Sequence, residues 1–319
     1  MSRSALALGV ALLAAAPPTA AALEAHSIEY EIDGEMYEGY IAYELEWVFD
    51  PRPAVMVIHN RDGVEETEKL RARELAERGY VGFAHDMLGK GCRGDPCGRE
   101  AVARLRADPE LLRHRAASGL DVVARQPFAD ASRLGANGYC FGGTVVLEMA
   151  RVGMAVDGVV SFHGGLVPLT GDTAIPASIG VQVHTGDLDP ITENDLDDMN
   201  EEMRSAGLDY WASFIYGNCA HSWTDPMSGA YRQREGDESH AIMMDFYDDV
   251  FAGNATATAA ANGGRMANEA DHIKPLMQPS PETPLARERA QRIALEAELA
   301  QARALIGNLQ RSANASRSI

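Results

Sequence analysis

Six residues, Gly138-Tyr139-Cys140-Phe141-Gly142-Gly143, constrain this chain more than any other stretch. They follow the apolar run Leu134-Gly135-Ala136-Asn137 and precede Thr144-Val145-Val146-Leu147-Glu148-Met149-Ala150, which reads as a helix. Where a strand turns straight into a helix, bulk two residues either side of the corner clashes, so those places call for glycine. The corner residue is held in a strained backbone conformation. Here it is a cysteine, and its sulfur stands at a helix N-terminus, where N–H groups and the dipole favour a thiolate. The turn carries chemistry only if a base and an acid come near it.

The chain on either side supplies a sheet for this corner. Residues 26–45 alternate apolar and polar around Asp33-Gly34, a hairpin signal. Apolar runs at 53–58, 80–84, 134–138, 156–162, 179–184 and 210–216 read as strands. Helical patterns at 65–78, 109–125, 144–151, 195–206 and 241–251 fall between and after them. Alternating strands and helices predict an α/β class: a mostly parallel central sheet covered by helices on both faces. With 319 residues there is room for one large domain and appendages.

The appendages lie at the ends. Arg3, an apolar run from Ala5 to Ala16, Pro17-Pro18 and the small residues Thr19 to Ala22 have the layout of an export signal. The run is too short to span a bilayer. The expectation is a signal peptide at 1–22, a periplasmic or secreted mature protein and no membrane span within it. The folded domain is then 23–253. Residues 254–284, first low in complexity and then proline-rich, read as a flexible linker. Residues 285–310 read as a C-terminal helical tail with Leu295, Leu299, Ala302, Ile306 and Leu309 along one seam. That seam suits self-association or partner docking; the plainer reading is a helix lying on the domain. Net charge is −19 and no Lys/Arg stripe occurs, so nucleic acid is not an expected partner.

Export bears on the four cysteines. Cys92 and Cys97 bracket the turn residues Arg93-Gly94-Asp95-Pro96 and make a reasonable disulfide. The rival, half of a metal site, lacks a second pair of ligands. Cys140 and Cys219 are then free thiols or a second pair. The histidines are too scattered for a metal spacing, and neither metal nor cofactor is expected.

Downstream of Cys140, a predicted strand ends in Thr185-Gly186-Asp187-Leu188-Asp189-Pro190, where Asp187 and Asp189 compete as the acid. The last strand is followed by Gly217-Asn218-Cys219-Ala220-His221-Ser222-Trp223. Nucleophile, acid, then histidine is the chain order of the α/β-hydrolase fold. With these pieces the sequence resembles the dienelactone hydrolase family over about residues 25–253. Ser161-Phe162-His163-Gly164-Gly165, Val57-Ile58-His59-Asn60 and Asp86-Met87-Leu88-Gly89-Lys90-Gly91 also fit.

The resemblance implies Cys140 as nucleophile, Asp189 rather than Asp187 as acid and His221 as base. It implies an ester or lactone as the small-molecule substrate, cleaved through a thioester. The N–H groups of Phe141 and of the Asn60-Arg61 loop are the expected oxyanion donors. His59 either shapes that loop or is a strand-end histidine with a backbone partner. Trp223 either lines the pocket or packs against the histidine loop. His163 and His184 read as structural. Two departures stand out. The family's chlorinated-aromatic enzymes carry a Glu that holds the resting thiol, where this chain has Asn60. They carry an Arg for the substrate carboxylate, where this chain has Thr224-Asp225, and Arg232 and Arg234 come later. These departures support a rival expectation: a weak or inactive hydrolase-fold binding module with the C-terminal helix as its working part.

Overall fold

The computed structural model describes residues 23–171, 174–191 and 193–253. The signal peptide, linker and C-terminal helix expected at 1–22, 254–284 and 285–310 lie outside the described residues.

β1 (Leu23–Ile32) and β2 (Glu35–Glu44) form the expected hairpin. Its turn puts Asp33 and Gly34 at φ 53° and 84°, which an Asp-Gly pair accepts at low cost. Then come β3 (Arg52–Ile58), α1 (Glu66–Arg78), β4 (Val81–His85), α2 (Cys97–Ala107) and α3 (Pro109–Ala124). β5 (Ala129–Tyr139), α4 (Phe141–Arg151), β6 (Gly158–Phe162) and β7 (Gly180–Gly186) follow. The described chain ends with α5 (Glu193–Ser205), β8 (Trp211–Tyr216) and α6 (Gln233–Gly253).

The strands make one eight-stranded sheet in the order β1-β2-β4-β3-β5-β6-β7-β8. β1 and β2 join antiparallel, and the six strands from β4 to β8 run parallel to one another. From β3 the chain steps outward to β4, then returns to the other side of β3 as β5. The order therefore reverses between β3 and β5, and a crevice opens at their C-terminal ends. Those ends are Ile58, leading into the 59–62 loop, and Tyr139, leading into Cys140.

The parallel strands are apolar throughout because helices bury both faces. Residues Ala54 to Ile58 of β3 and all of β4 are buried. α6 lies close to the sheet over three glycines. A Cβ on Gly135 would come within 2.6 Å of Tyr247, and one on Gly158 or Gly180 within 2.8 or 3.0 Å of Phe246. Two helices differ from the sequence expectation. α2 was not anticipated, because Gly94, Pro96 and Gly98 make its approach read as a loop; its buried Ala101, Val102 and Leu105 nevertheless keep helical spacing. α6 begins at Gln233 rather than 241, because its first turns are mostly polar.

Candidate active site

Cys140 is the N-cap of α4, with φ 55° and ψ −110°, in the left-handed region that side chains avoid. Its flanking glycines are forced. A Cβ on Gly138 would stand 2.1 Å from the Gly142 carbonyl oxygen, and one on Gly142 would stand 2.1 Å from that of Ile58. The helix therefore starts directly after Cys140, three residues before the apolar pattern suggests.

A buried histidine braces the corner. The Cys140 N–H donates to the Phe162 carbonyl at 3.0 Å and lies 3.1 Å from His163 Nδ1. Because Nδ1 accepts, the His163 proton sits on Nε2 and donates to Thr224 Oγ1 at 2.8 Å. Burial, then the neighbouring His221, holds the His163 pKa well below the ordinary value, so this strut stays neutral. The expectation that His163 is structural fits this bonding, and the group it braces is the Cys140 corner itself.

His221 stands on the loop after β8, between Asn218 and Ser222 at φ 60° and 66°. Its Nδ1 lies 3.0 and 3.2 Å from the two carboxylate oxygens of Asp189. The same imidazole lines one cavity with Cys140. The Asp189 contact first, then the Cys140 contact, raise the His221 pKa to about 10 against an opposing effect of burial. Asp189 is buried. Asp187 is turned elsewhere and accepts the Cys219 N–H at 3.2 Å. Of the two carboxylates the sequence offered, the imidazole thus meets Asp189.

Cys140 and His221 open into a cavity of about 530 Å³ at the crevice between β3 and β5. Asn60, Arg61, Asp62 and the start of α1 form one wall, and Ser222, Asp225, Met227 and Ser228 the other. The Phe141 amide is the first of α4 and has no intrahelical acceptor. Arg61 lines the same cavity from the loop after β3. The Asn60 amide, expected among the oxyanion donors, is instead directed at Glu68 Oε1 at 3.4 Å.

Two other expectations are corrected. His59 is fully buried and lines no part of the cavity. It donates from Nδ1 to the Asn60 carbonyl and accepts the Met87 N–H on Nε2 at 2.9 Å, tying the loop after β3 to the loop after β4. Trp223 is also fully buried and packs on Tyr216 at 4.5 Å between ring centroids. Trp223 thus packs rather than lining the pocket, and His59 is a strand-end histidine whose backbone bonds also fix the 59–62 loop.

Glu68 was missed. It is fully buried, lines the cavity and accepts the Glu65 N–H at 3.0 Å. Burial raises its pKa to about 7. The signal was present: Glu65 and Glu68 form a reciprocal capping box at the start of α1. Cys92 and Cys97 are joined in a disulfide, whereas Cys140 and Cys219 are both free. Among the described residues no group of three or more His, Cys, Asp or Glu could hold a metal ion, and no helix is long and apolar enough to cross a membrane.

A parallel-centred sheet with a strained cysteine after β5, an acid after β7 and a histidine after β8 defines an α/β-hydrolase. The dienelactone hydrolase family model matches residues 38–251, and the chain belongs to that family. It is a hydrolase of carboxylic esters. A dienelactone hydrolase-like promiscuous phosphotriesterase from metagenomic libraries is 30% identical, with TM-score 0.67 over 72% of this chain and 99% of that one. The protein m3DLH is 32% identical, with TM-score 0.65 and the same coverage. An uncharacterised protein of Caenorhabditis elegans is 32% identical over 154 residues, 44% of this chain and 95% of the relative.

Proposed function

We propose that this protein hydrolyses carboxylic esters or lactones through a Cys140-His221-Asp189 triad and a thioester intermediate. The observation that carries the reading is the His221 imidazole, bonded to Asp189 on one side and opening with Cys140 into one cavity on the other.

The steps follow from those contacts. His221, made strongly basic by its neighbours, takes the Cys140 proton. The sulfur attacks the carbonyl carbon, and the carbonyl electron pair moves onto oxygen. Amides of Phe141 and Arg61 receive that oxyanion; each donor contributes roughly 3–4 kcal/mol. Collapse breaks the C–O bond to the leaving group, and the imidazolium returns its proton to the departing alkoxide. A thioester remains on Cys140. Water, giving its proton to His221, attacks the thioester; the carboxylic acid leaves, and the sulfur recovers the proton. Asp189 holds the imidazole in the tautomer with Nδ1–H and supports its positive charge throughout. Since a thiolate leaves far more readily than an amine, esters, enol esters and lactones suit this site and amides do not.

The test is Cys140→Ala against an activated aryl ester. The rate should fall by at least ~10³-fold with the fold retained, and acid quenching of the wild type should trap an acylated Cys140 peptide. An unchanged rate overturns the assignment. The order of charged, apolar and small residues at the N-terminus further supports export, with removal of about residues 1–22. N-terminal sequencing of the protein recovered outside the cytoplasm tests this, and an intact Met1 there would refute it.

A further inference from the structure

The carboxylates around the cavity are not all needed for an ester hydrolase, and their arrangement bears on which ester fits. Asp62, Glu65, Glu68 and Asp225 all line the space that holds Cys140 and His221. The acidic cluster is thus not a site standing alone; it is the wall of a cavity that already contains a sulfur and an imidazole.

What fixes Glu65, Glu68 and Asp225 is neutral. Asp225 accepts from the Thr67 hydroxyl at 2.6 Å and from the Met227 N–H at 2.8 Å. Glu65 accepts the Glu68 N–H, and Glu68 accepts the amides of Glu65 and Asn60. Such bonds hold Glu65 and Asp225 in place without cancelling their charge, whereas burial raises the Glu68 pKa to about 7 and leaves that carboxyl partly protonated near neutral pH. Among the described residues Arg61 is the only Lys or Arg lining the cavity, and it is already shared between Asp62 at 3.7 Å and Asp95 at 3.9 Å. Two further guanidiniums near this wall are engaged elsewhere. Arg71 bonds Glu74 and the Thr224 carbonyl, both at 2.7 Å, and Arg232 lies 3.8 Å from Glu235. Neither lines the cavity. His221, when protonated, has its charge matched by Asp189. The space next to the sulfur is left with an excess of negative charge and walls that exclude part of the solvent.

We propose that this cavity selects ester substrates carrying an ammonium group, accepts neutral ones less well and rejects those carrying a carboxylate. The inference rests on the reading of Cys140 and His221 given above. A cation within about 6 Å of one uncompensated carboxylate at the edge of a protein gains enough for roughly a tenfold preference, and an anion loses as much.

Three 4-nitrophenyl esters with nearly isosteric acyl chains test it: 4-(trimethylammonio)butyrate, 5,5-dimethylhexanoate and the monoester of glutarate. Each kcat/KM is divided by the same ester's rate with hydroxide. The expected order is cationic, neutral, anionic, with the ends on the order of 100-fold apart at low salt. Adding ~0.5 M NaCl should compress the span several-fold, and so should Asp62→Asn combined with Glu65→Gln. Equal normalised rates, or a faster anionic ester, overturn the inference while leaving the triad standing. A second readout does not need turnover. Iodoacetamide and iodoacetate alkylate Cys140, followed by mass spectrometry and scaled to their rates on a small free thiol. Cys219 is buried and Cys92 and Cys97 are bonded, so the signal belongs to Cys140. Iodoacetate should be disfavoured at least tenfold beyond its handicap on the free thiol, and parity would overturn the proposal. If no ester is cleaved and Cys140→Ala changes nothing, the ester-hydrolase mechanism fails, and the alkylation ratio still decides the charge of the cavity.

Discussion

Glu148, on α4, and Glu68, on the first turn of α1, are both fully buried, yet their surroundings differ in kind. Glu148 accepts from Arg113 at 2.5 Å, from Arg151 at 3.3 Å and from the Leu169 N–H at 3.0 Å. Arg151 in turn bonds Glu202 at 2.7 and 2.9 Å and the Leu166 carbonyl at 2.6 Å. Two guanidiniums face two carboxylates, and the cluster is neutral. The cavity beside it, about 290 Å³ between the 166–171 loop and α5, holds no nucleophile. Glu68 has only amides for company and shares its cavity with a sulfur, an imidazole and three more carboxylates. The fold neutralises charge where it only needs packing. At the cavity of the proposed reaction it leaves Glu68 bonded to amides and to no guanidinium.

The comparison predicts that the two clusters fail differently. The largest effect is expected at the imidazole. Asp189→Asn keeps a hydrogen bond to His221 but favours the wrong tautomer, so kcat should fall by about 10²–10⁴-fold. Thermal unfolding should move little, since the Asn fits the same space. A loss under tenfold would mean that Asp189 is packing and not part of the reaction.

Arg151→Met should do the converse. It removes a buried guanidinium and leaves Glu148 and Glu202 short of a partner, at a cost of about 3–5 kcal/mol. Denaturant unfolding should record that loss, while kcat per folded molecule stays within about twofold. Loss of kcat comparable to Asp189→Asn, in protein shown to be folded, would show that the clusters are coupled and end the distinction.

The same division explains what could be read from the sequence. The Cys140 corner was legible because close approach leaves no alternative to glycine at 138 and 142, and forced glycines are visible in a sequence. The strands were legible because burial on both faces leaves them apolar without interruption. Asp189 and Asp187 could not be separated from residue type and position alone, since only the backbone turn decides which carboxylate meets the ring. Loop residues were the least legible. His59 and Trp223 carry side chains that suit a pocket and a core equally, and packing decides between them. Glu68 escaped notice because its capping role is local whereas its exposure to the cavity depends on β5, 70 residues away in sequence. α2 was hidden by the turn residues before it, and the balance of Glu148 by partners drawn from α3, α4 and α5.

The smallest effect expected is the pH dependence of Glu68→Gln. The folded pKa of Glu68 is raised to about 7 by burial, against 4.5 for the ordinary group. Between those values the folded state binds more protons than the unfolded one, so stability falls as pH rises from 4.5 to 7 and is level beyond. His221 acts in a later window. Its folded pKa is raised to about 10, so its contribution is fully present below 6.5 and is lost as pH climbs towards 10. Glutamine resembles the protonated acid, and the variant should lose the first dependence while keeping the second. Urea unfolding of both proteins at pH 4.5 and pH 8 should therefore show the variant gaining about 2–3 kcal/mol on the wild type across that interval. Most of the gain should accrue before pH 7, where Glu68 titrates. A difference that stays flat with pH would mean that the amides of Glu65 and Asn60 stabilise the carboxylate fully. Glu68 would then resemble Glu148, a charge the fold has balanced, and the contrast between the two regions would rest on Asp62, Glu65 and Asp225 alone.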